Sequence, residues 1–266
     1  MIKTLVSIEV DLASSLAIRF VCQIGGSINM EIHPIYVKEV LSPDYSLEAG
    51  WASRTWEKEI IEHGKEEISK MVAAEVDFCP KLYDPRVIYG NRQSEVSRVL
   101  QEGEFDLYVK GADFPWNHTE LYKMAHNKFY QHLQCPLILV QSLRKMKKVL
   151  LLCSHAESVE ALTRTFTKIW QGSSIPLVLV YPENQETTSG RIDLKNKVLD
   201  AVNALEQAGC KTESIQLKPE IFSNPTEDNL ANYGLVAVGL DRAVRKDSVD
   251  LTWLSLVNTA SLIAFY

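Results

Sequence analysis

One pattern constrains this chain more than any other: the same alternation of strand-like and helix-like segments runs through it twice. In the first half, hydrophobic periodicity predicts strands over 3–10, 29–37, 86–89, 106–110 and 137–141. Helices are predicted between them over 14–24, 52–76, 94–102 and 119–133. The second half repeats the order, with strands over 148–153, 176–181, 212–217, 235–239 and 262–266. Its helices are predicted over 158–171, 193–208, 226–231 and 248–259. Strands that alternate with helices at this spacing imply parallel sheets covered on both faces. Two copies in 266 residues imply a tandem duplication, with domains 1–143 and 147–266.

Composition narrows the partners. A net charge of -6 argues against nucleic acid, which calls for a basic face. The one basic run, Arg144-Lys145-Met146-Lys147-Lys148, lies between two apolar strands and reads as a solvated linker. No apolar run approaches the ~20 residues of a membrane span. The chain enters a strand pattern (IKTLVSIEV) without a signal-like segment, so a cytoplasmic protein is expected. Cys22, Cys79, Cys135, Cys153 and Cys210 form no Cys-x-x-Cys pair and are expected to be free thiols acting as small hydrophobes.

Chemistry-bearing residues are sparse. Asn117 and Glu120 have capping-box spacing, so Asn117 is read as the cap of the following helix. His118, His126 and His132 match no metal-ligand spacing, and no metal is expected. Ser154 and His155 look like a nucleophile beside a base, but adjacent residues at a strand end should point apart. Trp51 and Trp56 are read as packing residues. The sharpest question lies at Gly111-Ala112-Asp113-Phe114-Pro115-Trp116, which follows a strand where nucleotide-binding proteins often place a glycine-rich loop. Phosphate oxygens need several converging backbone N–H groups with no side chains in the way. Here the loop is acidic, bulky and interrupted by proline.

The segments KTLVSIEVDLASSLAIRF and FDLYVKG…HLQCPLILV, with KKVLLLCSHAESVEALTRTF and YGLVAVG…TASLIAFY, resemble the universal stress protein family in its tandem form. The resemblance implies an α/β fold of two doubly wound, five-stranded parallel sheets, each of order 3-2-1-4-5, of the adenine nucleotide alpha hydrolase-like kind. It also implies an internal pseudo-dimer, with the closing strands 137–141 and 262–266 at a shared interface, and leaves a homodimer open. Ligands in such sheets bind beyond the carboxyl ends of the strands, where strand order reverses. In this chain those ends are Glu9 and Gly111, then Ser154 and Gly239.

ATP-binding members of that family carry Gly-x-x-Gly-x9-Gly-Ser/Thr after the fourth strand. Gly111 matches the first glycine, whereas Phe114 or Pro115 stands at the second and Lys123-Met124 near the end. In the second half only Gly239 survives. The resemblance therefore implies a nucleotide-site shell: ATP is not favoured and no cofactor is expected. Any ligand is expected first in the N-terminal crevice, at Glu9, Gly111, Asp113, His118 and Lys123, with Lys123 as the cation facing an anion. Two functions stay open. One is a non-enzymatic, stress-associated regulatory or interaction protein with a protein partner. The other is a sensor of a small ligand or nucleotide in the surviving crevice.

Overall fold

A computed structural model describes residues 1–39, 51–75, 79–183 and 192–266. The first half runs β1 (Ile2–Ser7), α1 (Leu12–Gly25), β2 (Met30–Lys38), α2 (Trp51–Glu75) and β3 (Arg86–Tyr89). It continues through α3 (Arg92–Gly103), β4 (Leu107–Gly111), α4 (His118–Ala125), α5 (Lys128–Gln131) and β5 (Leu137–Val140). The second half runs β6 (Val149–Leu152), α6 (Ala156–Ile169), β7 (Leu177–Pro182), α7 (Ile192–Gln207) and β8 (Thr212–Leu217). After α8 (Pro219–Ser223) and a 3-10 turn at Glu227–Asn229 come β9 (Leu235–Leu240), α9 (Val249–Leu256) and β10 (Ala260–Phe265). The side chains of Trp51 and Trp56 lie outside the described residues.

Each half has the order 3-2-1-4-5, counted within the half, and all its strand pairs are parallel. The two sheets are not separate. β5 and β10 pair antiparallel, with Val140 opposite Ala260 and Leu137 opposite Ile263, and fuse them into one ten-stranded sheet. All four β5 residues are buried. Two apolar closing strands that would each invite aggregation as free edges cover one another instead.

The sheet carries a core on each face. Ile18, Phe20, Phe166 and Trp170 belong to the face under α1, α2, α6 and α7. Val96, Leu121, Trp253 and Leu254 belong to the other. Both buried indoles among the described residues are satisfied, Trp170 donating to the Ile175 carbonyl (3.2 Å) and Trp253 to the Phe222 carbonyl (2.9 Å).

Two expected helices differ for local reasons. The helix read over 119–133 breaks at Asn127, whose side chain accepts from the Phe129 N–H and starts a new turn. The helix read over 226–231 is only a 3-10 turn, preceded by α8, which begins on Pro219. Asn117 caps α4 as read, accepting from the Glu120 N–H.

The reading of all five cysteines as free thiols is corrected. Cys22 on α1 and Cys79 ahead of β3 form a disulfide, with Cα atoms 4.7 Å apart and a sequence separation of 57. Cys135, Cys153 and Cys210 are free and buried. Burial pushes the Cys135 thiol up to about 12.

Candidate functional site

β1 and β4 lie side by side, and a cleft of about 400 Å³ opens beyond their carboxyl ends. The turn after β1 is fixed by its own polar groups: Glu9 N–H donates to Ser14 Oγ (2.8 Å), and Asp11 caps α1 by accepting from Ser14 N–H (2.7 Å). Glu9, Asp11, Glu39 and Asp113 line the cleft, with Arg92 and Lys110 as its cations. Tyr108, Phe129 and Tyr130 supply aromatic wall.

Both cations are already engaged. Arg92 lies 2.5 Å from Glu9 Oε1 and 3.4 Å from Glu39 Oε2. Lys110 Nζ lies 2.9 Å from Asp113 and 3.5 Å from the Tyr130 hydroxyl. Burial pulls the Lys110 ammonium down, but Tyr130, Tyr108 and Asp113 outweigh it and hold the lysine above its usual range. Glu9 is raised, chiefly because burial disfavours its charge and despite the attraction of Arg92.

Of the residues picked from sequence, Glu9, Gly111 and Asp113 meet in this cleft, whereas His118 and Lys123 are not among its lining. Lys123 points to solvent and pairs with Glu120 at 2.7 Å. The cation assigned to it is supplied by Lys110 and Arg92. Lys110 was within reach of sequence reasoning, as the last residue before Gly111. Arg92 was not, because it comes from a helix start far along the chain.

Gly111 has a packing duty. A Cβ there would sit 2.1 Å from the Ala13 carbonyl oxygen of α1. The loop after it is committed elsewhere: Phe114 stacks on Trp116, and Trp116 Nε1 donates to the Leu254 carbonyl of the second half (2.8 Å). Pro115 offers no N–H at all.

In the second half Gly239 is likewise closed by a helix, its absent Cβ falling 2.6 Å from Ser158 Cα. The expectation that Ser154 and His155 point apart is overturned. His155 is the extended N-cap of α6, and its Nδ1 comes back to 2.6 Å from Ser154 Oγ. The imidazole Nε2 hydrogen-bonds the Tyr266 hydroxyl. Asp250, 4% exposed, accepts from Ser248 Oγ (3.2 Å) rather than from the imidazole, and its Oδ1 has no partner. Burial raises its carboxyl, against the pull of the nearby Ser154 hydroxyl and of His155. A serine–histidine–acid relay needs the acid on the far imidazole nitrogen, which here meets a phenol. Among the described residues, no three His, Cys, Asp or Glu side chains are grouped so as to hold a metal ion. No described helix is long and apolar enough to cross a membrane.

No family model and no curated relative matches the chain. Solved structures do match in fold. A universal stress protein from Archaeoglobus fulgidus DSM 4304 superposes with a TM-score of 0.59 at 10% identity, over 99% of this chain and 96% of that one. A functionally unknown protein from Pseudomonas aeruginosa PAO1 superposes at 0.52 and 13% identity, over 99% and 92%.

Proposed function

We propose that this chain, which shares the universal stress protein fold along its length, is a non-enzymatic, stress-associated regulatory protein of the cytoplasm that does not bind ATP. The observation that carries the reading is the charge pairing of the N-terminal cleft. Its two cations are held by carboxylates of the same cleft, and four acids outnumber them. A triphosphate would have to break those pairs and approach the remaining negative charge. The loop that should supply N–H donors holds Pro115 and a tryptophan docked on the other half. Two or three missing charge-assisted contacts at about 1.5–3 kcal/mol each leave a micromolar site at about 0.1 mM or weaker. Titration calorimetry of the nucleotide-stripped protein with magnesium-ATP tests this: no binding tighter than about 100 µM is expected. Stoichiometric binding below that concentration would refute it.

A second reading, that the crevice senses a small ligand, is favoured by the open volume itself. About 400 Å³ lies within the range of small-molecule sites, and three aromatic side chains line it. The acidic excess suits a neutral or cationic ligand. Adenosine, which keeps base and ribose but lacks the phosphates, is the direct comparison. Adenosine binding more tightly than ATP supports a live crevice without a phosphate cradle.

A further inference from the structure

The wall of the N-terminal cleft is held in place from the other half of the molecule. α5 is a single turn of four residues, and one turn does not sustain itself. It nevertheless carries Phe129 and Tyr130 to the cleft, with the Tyr130 hydroxyl 3.5 Å from Lys110 Nζ. Carbonyls at and just beyond its end, of which that of Tyr130 also accepts from the Leu133 N–H (3.3 Å), are taken by Arg242 from the loop after β9. Arg242 Nη1 donates to the carbonyls of Tyr130 (3.4 Å) and Gln131, and Nη2 donates to that of Leu133 (2.7 Å). Gln131 returns the contact, its Nε2 donating to the Arg242 carbonyl at 2.6 Å. The guanidinium lies 5.6 Å from the centre of the Phe265 ring. Burial pulls Arg242 below its usual range, and no carboxylate contributes against it.

The contact is reciprocal. Trp116, from the loop after β4, donates to Leu254 near the end of α9. In each half, the loop after the fourth strand docks on the helical end of the other half.

We infer that Arg242 is a positioning residue of the N-terminal crevice, supplied by the second half, so that the seam between the halves sets how well the crevice binds. The inference rests on the reading of that cleft as a ligand site. The planar fork of arginine reaches carbonyls that diverge, and a lysine ammonium in its place is a single point charge without that geometry.

Hydrogen–deuterium exchange on the full chain decides it, comparing wild type with Arg242→Ala and Arg242→Lys. In both variants the amides over 128–134 should exchange at least ~10-fold faster while β1 and α6 keep their protection, as a local opening requires. Unchanged exchange over 128–134 overturns the inference. So does loss of protection spread evenly over the sheet in Arg242→Lys, which would make the residue a general clamp. Adenosine titration adds the functional arm: affinity should fall at least ~10-fold in Arg242→Lys at unchanged melting temperature. If wild type binds no adenosine, the ligand reading of the crevice fails for that probe, and the exchange measurement still decides the placement of the wall.

Discussion

Gly111 and Ala13 are in backbone contact: a Cβ on Gly111 would lie 2.1 Å from the Ala13 carbonyl oxygen and 2.3 Å from its carbonyl carbon. The glycine that ends the fourth strand thus lets α1 lie down on β4. Gly239 repeats the arrangement against Ser158 of α6. A glycine that serves close packing persists whether or not a phosphate is bound nearby, so finding it in both halves says nothing of nucleotide.

The first prediction follows directly. Gly111→Ala forces a backbone shift, because the obstructing atoms belong to a helix and not to a flexible side chain. Overpacking of this kind costs about 1–3 kcal/mol, and more where the backbone is the obstacle. Urea unfolding should show a loss in that range or above for Gly111→Ala and again for Gly239→Ala. A midpoint unchanged from wild type would mean that α1 and β4 can separate cheaply.

Asp250 provides a pH-dependent test. Burial raises its folded-state pKa, so the folded protein holds the proton more tightly than the unfolded chain does. The stabilisation from that proton is complete below the unfolded value of about 3.9 and is lost as pH rises through the folded value. At pH 7 the unfolded chain carries an ionised carboxylate, and burying that group with one oxygen unpartnered weighs against folding. Asp250→Asn should therefore raise the urea midpoint at pH 7, with the gain fading as the pH is lowered toward 4. A loss of stability at pH 7 would show that the Ser248 bond and the nearby Ser154 hydroxyl outweigh the desolvation of the carboxylate.

Much of the architecture was legible because it depends on local pattern. Alternating apolar runs gave the strands, and Asn117 three residues before Glu120 gave a helix start that the structure keeps. The position of the crevice came from the family resemblance, whose strand order reverses between the first and fourth strands, at Glu9 and Gly111. What stayed hidden depends on contacts between distant segments. Arg92 meets Glu9 only when α3 packs against β2 and α5, and Arg242 meets α5 only across the seam. Ser154 and His155 were misread for a different reason: strand alternation was applied to residues already in the turn, where His155 caps a helix.

The cysteine pair was hidden in the same way, and it gives a further prediction. With Cys22 and Cys79 bonded, the denatured protein without reductant should show three of its five thiols to a thiol reagent, and all five after reduction. The closed loop spans 57 residues, for which chain entropy gives about 4 kcal/mol, with measured values commonly about 2–4 kcal/mol. Cys22→Ser with Cys79→Ser should lower stability by that amount under oxidising conditions and by little in excess reductant. Five reactive thiols in protein purified without reductant would place the working form in the reduced state usual for the cytoplasm.

The last prediction concerns the cause of the poor ATP site. Two explanations compete: the missing N–H cradle of the loop, and the neutralisation of Lys110 and Arg92 by carboxylates of the cleft. Glu9→Gln with Asp113→Asn separates them, because it removes two negative charges, releasing Lys110 from its carboxylate and Arg92 from the nearer of its two, without touching Phe114, Pro115 or Trp116. Arg92 keeps Glu39 at 3.4 Å, and Lys110 keeps the Tyr130 hydroxyl, so neither cation is stranded. If charge pairing is the main obstacle, magnesium-ATP affinity should rise at least ~10-fold, which corresponds to about 1.4 kcal/mol. The gain should shrink as salt is raised from about 50 to about 300 mM, since charges in an open cleft are screened over about 8–10 Å near physiological ionic strength. Calorimetric titration at two salt concentrations measures both effects. An unchanged affinity in the double variant, with the fold intact by circular dichroism, would assign the loss of ATP to the loop alone.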